Sequence, residues 1–151
     1  MRTRRYLPAP PLPDRWPQRH THEGIRMQSP LSILIVDDQE DVRKLIRAIL
    51  APEGYELLEA HDGKAAITQI QTYRPDLILL DIMMPGYPNG LELLDIVKKN
   101  KVMTTKIVMI SAKGQYDDVV AAAKLRCNAY IIKPFTRQHL LDTIKTVLES
   151  E

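Results

Sequence analysis

Between residues 31 and 149 the chain alternates between two textures. Short apolar runs at 31–36, 76–80, 106–110 and 128–132 are separated by longer stretches in which apolar residues return every three or four positions. The short runs read as strands buried on both faces, and the longer stretches as amphipathic helices. A more mixed run at 55–60 reads as a fifth strand at a sheet edge. The spacing predicts a first helix over 40–51 with Val42, Leu45, Ile46 and Ile49 inward, stopped by Pro52 and Gly54. Asp62 caps a second helix that buries Ala66, Ile67 and Ile70. A third, over 91–100, turns Leu91, Leu94 and either Val97 or Ile96 inward, and a fourth, Ala- and Val-rich, covers 115–125. Thr136 caps the last, with Leu140, Leu141, Ile144, Val147 and Leu148 on its inner face. Strand and helix in five-fold alternation imply parallel pairing, right-handed crossovers and helices on both faces of one sheet. Periodicity does not give the order of the strands.

The stretch from Pro75 to Gly90 organises the rest. Leu77 to Leu80 end abruptly in Asp81, and two prolines, two glycines and an asparagine follow before the next helix. A carboxylate thus stands at the carboxyl end of a buried strand, where open α/β sheets bind ligands. The other strand ends add Asp37 and Asp38, Ser111, and Lys133, whereas the second strand gives only Ala60-His61. Neighbouring carboxylates raise one another's pKa unless a cation intervenes. Hard oxygen ligands favour Mg²⁺, and no His/Cys cluster offers a softer site. A lysine and a hydroxyl facing the same space suit a phosphoryl oxygen, with an aspartate as acceptor. Taken singly, each group has a blander reading. Asp38 could cap the first helix, Asp81 its turn and Ser111 the next helix, while Tyr130 could be an ordinary strand residue. Cys127 reads as a small buried residue, and His61 and His139 as structural or surface positions. Gly63-Lys64-Ala65 is not a Walker motif, no GxGxxG follows the first strand, and no Ser/His/Asp or Cys/His set is present.

Charge changes the picture only at the amino end. Residues 1–29 hold six arginines against Asp14 and Glu23, whereas the remainder holds 15 basic and 17 acidic residues. The positive sign of the chain's net charge of +2 therefore comes from the extension, and gives the fold no nucleic-acid footprint. That Arg- and Pro-rich segment, 1–29, reads as disordered, with His20 and His22 simply solvated. Met27 precedes the first strand, so residues 1–26 are expected to be dispensable. A single cysteine excludes an internal disulfide and fits a reducing compartment. No apolar run approaches the roughly 18 residues that span a bilayer, and the arginines at the start lack a signal-peptide core. The expectation is a soluble, cytoplasmic protein with one domain over 30–151.

Asp37-Asp38, Asp81 followed by Met-Met-Pro, Ser111-Ala112 and Lys133-Pro134-Phe135 together resemble the receiver domain of two-component response regulators, over about 31–149. The resemblance implies a flavodoxin-like, doubly wound (βα)5 three-layer sandwich with a five-stranded parallel sheet in the order 2-1-3-4-5. It implies that Asp81 accepts a phosphoryl group from the phosphohistidine of a histidine kinase or phosphotransfer protein. Asp38, Asp81 and the Met83 backbone carbonyl would bind Mg²⁺, with Asp37 assisting through water. Lys133 would pair with Asp81 and then with the phosphoryl group, Ser111 would hydrogen-bond that group, and Tyr130 would turn inward as Ser111 moves. Lys133-Pro134 would be cis. The output would be a changed protein-binding surface, with a homodimer formed through the fourth helix, fifth strand and fifth helix, and an unidentified downstream protein as target. The chain looks like a stand-alone regulator that is not an enzyme, with no direct nucleic-acid contact and no membrane segment. The rival readings are a receiver-like interaction module that works without phosphorylation and a haloacid-dehalogenase-type phosphatase. The phosphatase would need Asp-x-Asp where Asp37 and Asp38 are adjacent. Two departures stand out. The turn through Gly86-Tyr87-Pro88-Asn89 is one residue longer than usual, and Met83 and Lys113 occupy positions that modulate acyl-phosphate lifetime in the family.

Overall fold

A strand that is apolar at every position must be covered on both faces, and this sheet is. The computed structural model describes residues 30–100, 103–112 and 116–150. In chain order they form β1 (Ser32–Val36), α1 (Glu40–Leu50), β2 (Glu56–Ala60), α2 (Gly63–Tyr73), β3 (Leu77–Asp81), α3 (Gly90–Lys99), β4 (Lys106–Ala112), α4 (Tyr116–Lys124), β5 (Ala129–Lys133) and α5 (Arg137–Glu149). All pairings are parallel and the order is β2-β1-β3-β4-β5, so the flavodoxin-like arrangement is borne out and β2 is an edge.

Alternation along each strand divides the core in two. Leu34, Val36, Ile78, Leu80, Ile107 and Met109 pack with residues of α2, α3 and α4. Ile33, Ile35, Leu77, Leu79, Val108 and Ile110 pack with residues of α1 and α5. Each fully buried aliphatic side chain in these layers stabilises the fold by about 1.5–3 kcal/mol relative to exposure.

The helices follow the expected stripes with two shifts. On α1, Ile46, Ile49 and Leu50 are buried but Leu45 is 55% exposed, because the stripe centres on Ile46 and Leu45 lies a quarter-turn outside it. On α3 the buried set is Leu93, Leu94 and Val97, while Leu91 is half-buried and Ile96 faces outward. Asp62 caps α2 by accepting from the Ala65 N–H at 2.8 Å, and Thr136 caps α5 by accepting from the His139 N–H at 3.0 Å. Asp38 caps nothing: the N-cap of α1 is Gln39, which makes no side-chain cap bond. The strands end later than apolarity alone predicts. Asp81 pairs with Ile110 and Lys133 with Ala112, so these polar residues are still part of the ladder.

The expectations for residues 1–29, including His20, His22 and Met27, lie outside the described residues, as does Lys113. Among the described residues no helix is long and apolar enough to cross a membrane.

Candidate functional site

The same alternation that sorts the core also sorts the polar strand ends. Asp37 continues the Ile33–Ile35 register, Asp81 the Leu77–Leu79 register and Lys133 the Ile131 register, all on the side covered by α1 and α5. Ser111 continues Met109, and Tyr130 packs against the opposite core layer, under α3 and α4. Parallel pairing brings Asp37, Asp81, Ser111 and Lys133 to one end of the sheet, and Tyr130, paired with Met109 further down, reaches it through its side chain.

One carboxylate oxygen each from Asp37, Asp38 and Asp81 lies within 4.8 Å of the others, with Asp37 and Asp81 buried and Asp38 exposed. Lys133 Nζ stands 3.2 Å from Asp37 Oδ2 and 3.9 Å from Asp81 Oδ1. The lysine therefore sits closer to Asp37 than to the aspartate it was expected to pair with. Asp37 Oδ1 accepts from the Gln39 N–H at 2.8 Å, and Asp81 Oδ1 from the Met83 N–H at 3.2 Å. Burial pushes the Asp81 carboxyl up to about 6; Asp37 adds to that, Lys133 and the Met83 N–H pull against it, and Asp38 adds a little more. Three acids and one lysine leave a local excess of negative charge. All-oxygen donors in this arrangement fit a hard divalent cation such as Mg²⁺ and not a thiophilic one.

On the other side, Tyr130 Oη donates to Ser111 Oγ at 2.6 Å, and Ser111 Oγ donates to the Ala112 carbonyl at 3.3 Å. Burial raises the Tyr130 pKa, which keeps the phenol protonated as a donor, and the Ser111 bond offsets this in part. Lys133-Pro134 is cis, as the resemblance implied, and so is Tyr87-Pro88.

Close backbone packing holds the turn after Asp81. A Cβ on Gly90 would collide with the Asp81 carbonyl oxygen and come within 2.6 Å of Ile82 Cα. One on Gly63 would collide with the Pro88 carbonyl and come within 2.7 Å of the Pro88 ring. The longer turn is thus seated on the start of α2, and Asn89 closes it with a capping box, exchanging bonds of 2.9 Å with Glu92. Beside it a depression of about 360 Å³ is lined by Asp62, Gly63, Lys64, Pro85, Gly86 and an exposed Tyr87. The sequence pattern marks both glycines only as loop residues and does not show these contacts. It also passes over Arg43, whose Nη1 donates to the Asp37 carbonyl at 2.6 Å.

The remaining candidates are structural. Cys127 is half-buried against the α3/α4 layer with its thiol pKa raised by burial. His139 is exposed, and His61 is an exposed partner of Asp62 at 3.3 Å.

Fold and site together define a doubly wound α/β domain with an acid cluster and a lysine at the carboxyl end of its sheet, and the comparisons with known proteins place it in a family. The response regulator receiver domain model matches residues 33–145, and the chain belongs to that family. The phosphate regulon transcriptional regulatory protein PhoB of Pseudomonas aeruginosa is 39% identical over 118 residues, which is 78% of this chain and 51% of that one. The nitrogen assimilation regulatory protein NtrX of Azorhizobium caulinodans is 41% identical over 119 residues, 78% of this chain and 26% of that one. Among solved structures, the receiver domain of NtrX from Brucella abortus is 37% identical with a TM-score of 0.74, covering 79% of this chain and 99% of that one. A CheY-like receiver domain protein from Methanospirillum hungatei is 31% identical with a TM-score of 0.74, covering 80% and 95%. The chain spans about half the length of PhoB and about a quarter of NtrX.

Proposed function

We propose that this receiver takes a phosphoryl group onto Asp81 from the phosphohistidine of a histidine kinase or phosphotransfer protein. The supporting observation is the buried Asp81 carboxylate, clustered within 4.8 Å of Asp37 and Asp38, with the Lys133 ammonium 3.9 Å away. With its pKa at about 6, Asp81 is mostly ionised at neutral pH and available as a nucleophile. An Asp81 oxygen forms a bond to phosphorus as the bond from phosphorus to the donor imidazole nitrogen breaks. The imidazole leaves with its electron pair and takes up a proton, and an acyl phosphate remains.

Mg²⁺, held by Asp38, Asp81 and the Met83 carbonyl with Asp37 through water, would supply the positive charge that three acids lack. Lys133 shifts from Asp37 toward the new phosphoryl oxygens, because the modification adds about −1.5 to −2 of charge in place of a carboxylate's −1. Ser111 releases its present partners and donates to the phosphoryl group, and Tyr130 follows it. The exposed Ile132 and Tyr116 support a contact face on α4, β5 and α5, for a homodimer or a downstream protein. On this reading the protein is a phosphoacceptor and not a turnover enzyme. The domain acts in the cytoplasm through protein contacts, without touching nucleic acid itself. The transcriptional roles in the names of PhoB and NtrX belong to those proteins.

Incubation with acetyl phosphate and Mg²⁺ should add one phosphoryl group, read by intact mass, and Asp81→Asn should abolish it. An unlabelled wild-type chain would favour the phosphorylation-independent interaction module, and steady turnover of a phosphomonoester would favour the phosphatase.

A further inference from the structure

Asp37 is bound through its backbone at both ends. Its N–H donates to the Ala60 carbonyl at the end of β2 at 3.2 Å. Its C=O accepts from Arg43 Nη1 at 2.6 Å. Arg43 is itself anchored to β2, with Nε 3.1 Å from Glu59 Oε1, while the other Glu59 oxygen accepts from Arg47 Nη1 at 3.1 Å. The Arg43 side chain is only 14% exposed, so this guanidinium is a built part of the corner and not a solvated surface charge. The carbonyl it grips belongs to the peptide that leads into Asp38. Among the described residues the Asp38 carboxylate has no hydrogen-bond partner of its own, although one of its oxygens joins the acid cluster. Where Asp38 points is therefore set through its backbone.

We propose that Arg43 is a positioning residue for the divalent cation: its fork joins the Asp37–Asp38 peptide to Glu59 on the edge strand and so aims Asp38 into the cluster. The inference rests on the phosphoacceptor reading and its cation. An ammonium at this position could serve the carbonyl or the carboxylate, but not both in the geometry of a guanidinium.

Electrostatics alone makes the opposite prediction, which gives the test its direction. Arg43 is a positive charge beside a cation site, so losing it by charge alone would tighten cation binding. Losing a brace behind a ligand weakens binding, by roughly tenfold or more where such outer partners have been removed from metal sites. The experiment is Mn²⁺ titration of the full chain, with free ion counted by electron paramagnetic resonance, alongside urea unfolding of each variant. Arg43→Met is expected to weaken Mn²⁺ binding by about tenfold while still folded at the titration temperature, with Arg43→Lys in between. Glu59→Gln, which leaves Arg43 charged but loosens its anchor, is expected to weaken binding by a few-fold. Unchanged or tighter binding by folded Arg43→Met overturns the inference and leaves the phosphoacceptor reading standing. Should Arg43→Met not fold, Arg43→Lys and Glu59→Gln decide in its place, and wild-type affinity in both overturns the inference. A wild-type chain that binds no Mn²⁺ overturns the phosphoacceptor reading, and the inference with it.

Discussion

The two sides of the sheet's carboxyl end are held by different means. On the α1/α5 side, Asp37 and Asp81 are buried, and each accepts a backbone N–H two residues further on. Gly90 packs directly against the Asp81 backbone. On the α3/α4 side, Ser111 and Tyr130 are joined chiefly by one side-chain hydrogen bond at 2.6 Å. Backbone-held groups move only if the fold moves, whereas a hydroxyl pair can exchange partners by rotating about χ1. The acid side therefore suits a preorganised site and the hydroxyl side a responsive one.

The largest break in this contrast should come from Gly90→Ala. Its Cβ would need space that the Asp81 carbonyl and Ile82 already fill, and Asp81 cannot retreat because it is ladder-paired with Ile110. Urea unfolding should show a loss of about 3 kcal/mol, in the overpacking range, even after the small helix-propensity gain of alanine. A loss below about 0.5 kcal/mol would mean that the turn is compliant, and the contrast would fail.

A smaller effect should appear in the pH dependence of the metal-free protein. The folded state holds a proton on Asp81 up to about pH 6, whereas the unfolded chain releases it near 3.8. Between those values the native state binds more protons, so this group's contribution to stability falls as pH rises, and it is constant above the window. Asp81→Asn, which stays neutral, should gain stability relative to wild type across that window and hold the gain at pH 7. A difference that stays flat from pH 4 to 7 would mean that neither burial nor the neighbouring acids raise this carboxyl.

How much of this was legible beforehand follows from the same contrast. Unbroken apolar runs gave the strands and the two-faced cover, and the polar residue ending each run gave Asp37, Asp81, Ser111 and Lys133. Which face each belongs to was also available, since residue parity along a strand sets it, but strand ends compared only by position hide that division. The pairing of Lys133 with Asp81 is present at 3.9 Å, but the shorter contact of the same ammonium with Asp37, at 3.2 Å, needed the fold to bring β5 and β1 to one site. Leu45 was misplaced and the buried Leu93 missed because a stripe's centre depends on the neighbours it meets, and local spacing does not contain them. Arg43, Gly63 and Gly90 act across elements, through contacts of backbone with backbone or of a long side chain with a distant carbonyl. Nothing within a short window announces such contacts.

The mildest change should sharpen the contrast best. Tyr130→Phe removes one hydroxyl and leaves the ring against its core layer, so stability should fall by only about 1 kcal/mol, the net worth of an ordinary hydrogen bond. Ser111 would keep its 3.3 Å bond to the Ala112 carbonyl and be freer to rotate. If the acid side is independently built, Mn²⁺ affinity should stay within about twofold of wild type, because sites without shared partners are nearly additive. Labelling by acetyl phosphate should then change in rate or persistence while the position labelled stays the same. A tenfold loss of Mn²⁺ affinity in this variant would show that the two sides are one coupled network, and that the division by strand parity describes packing without describing mechanism.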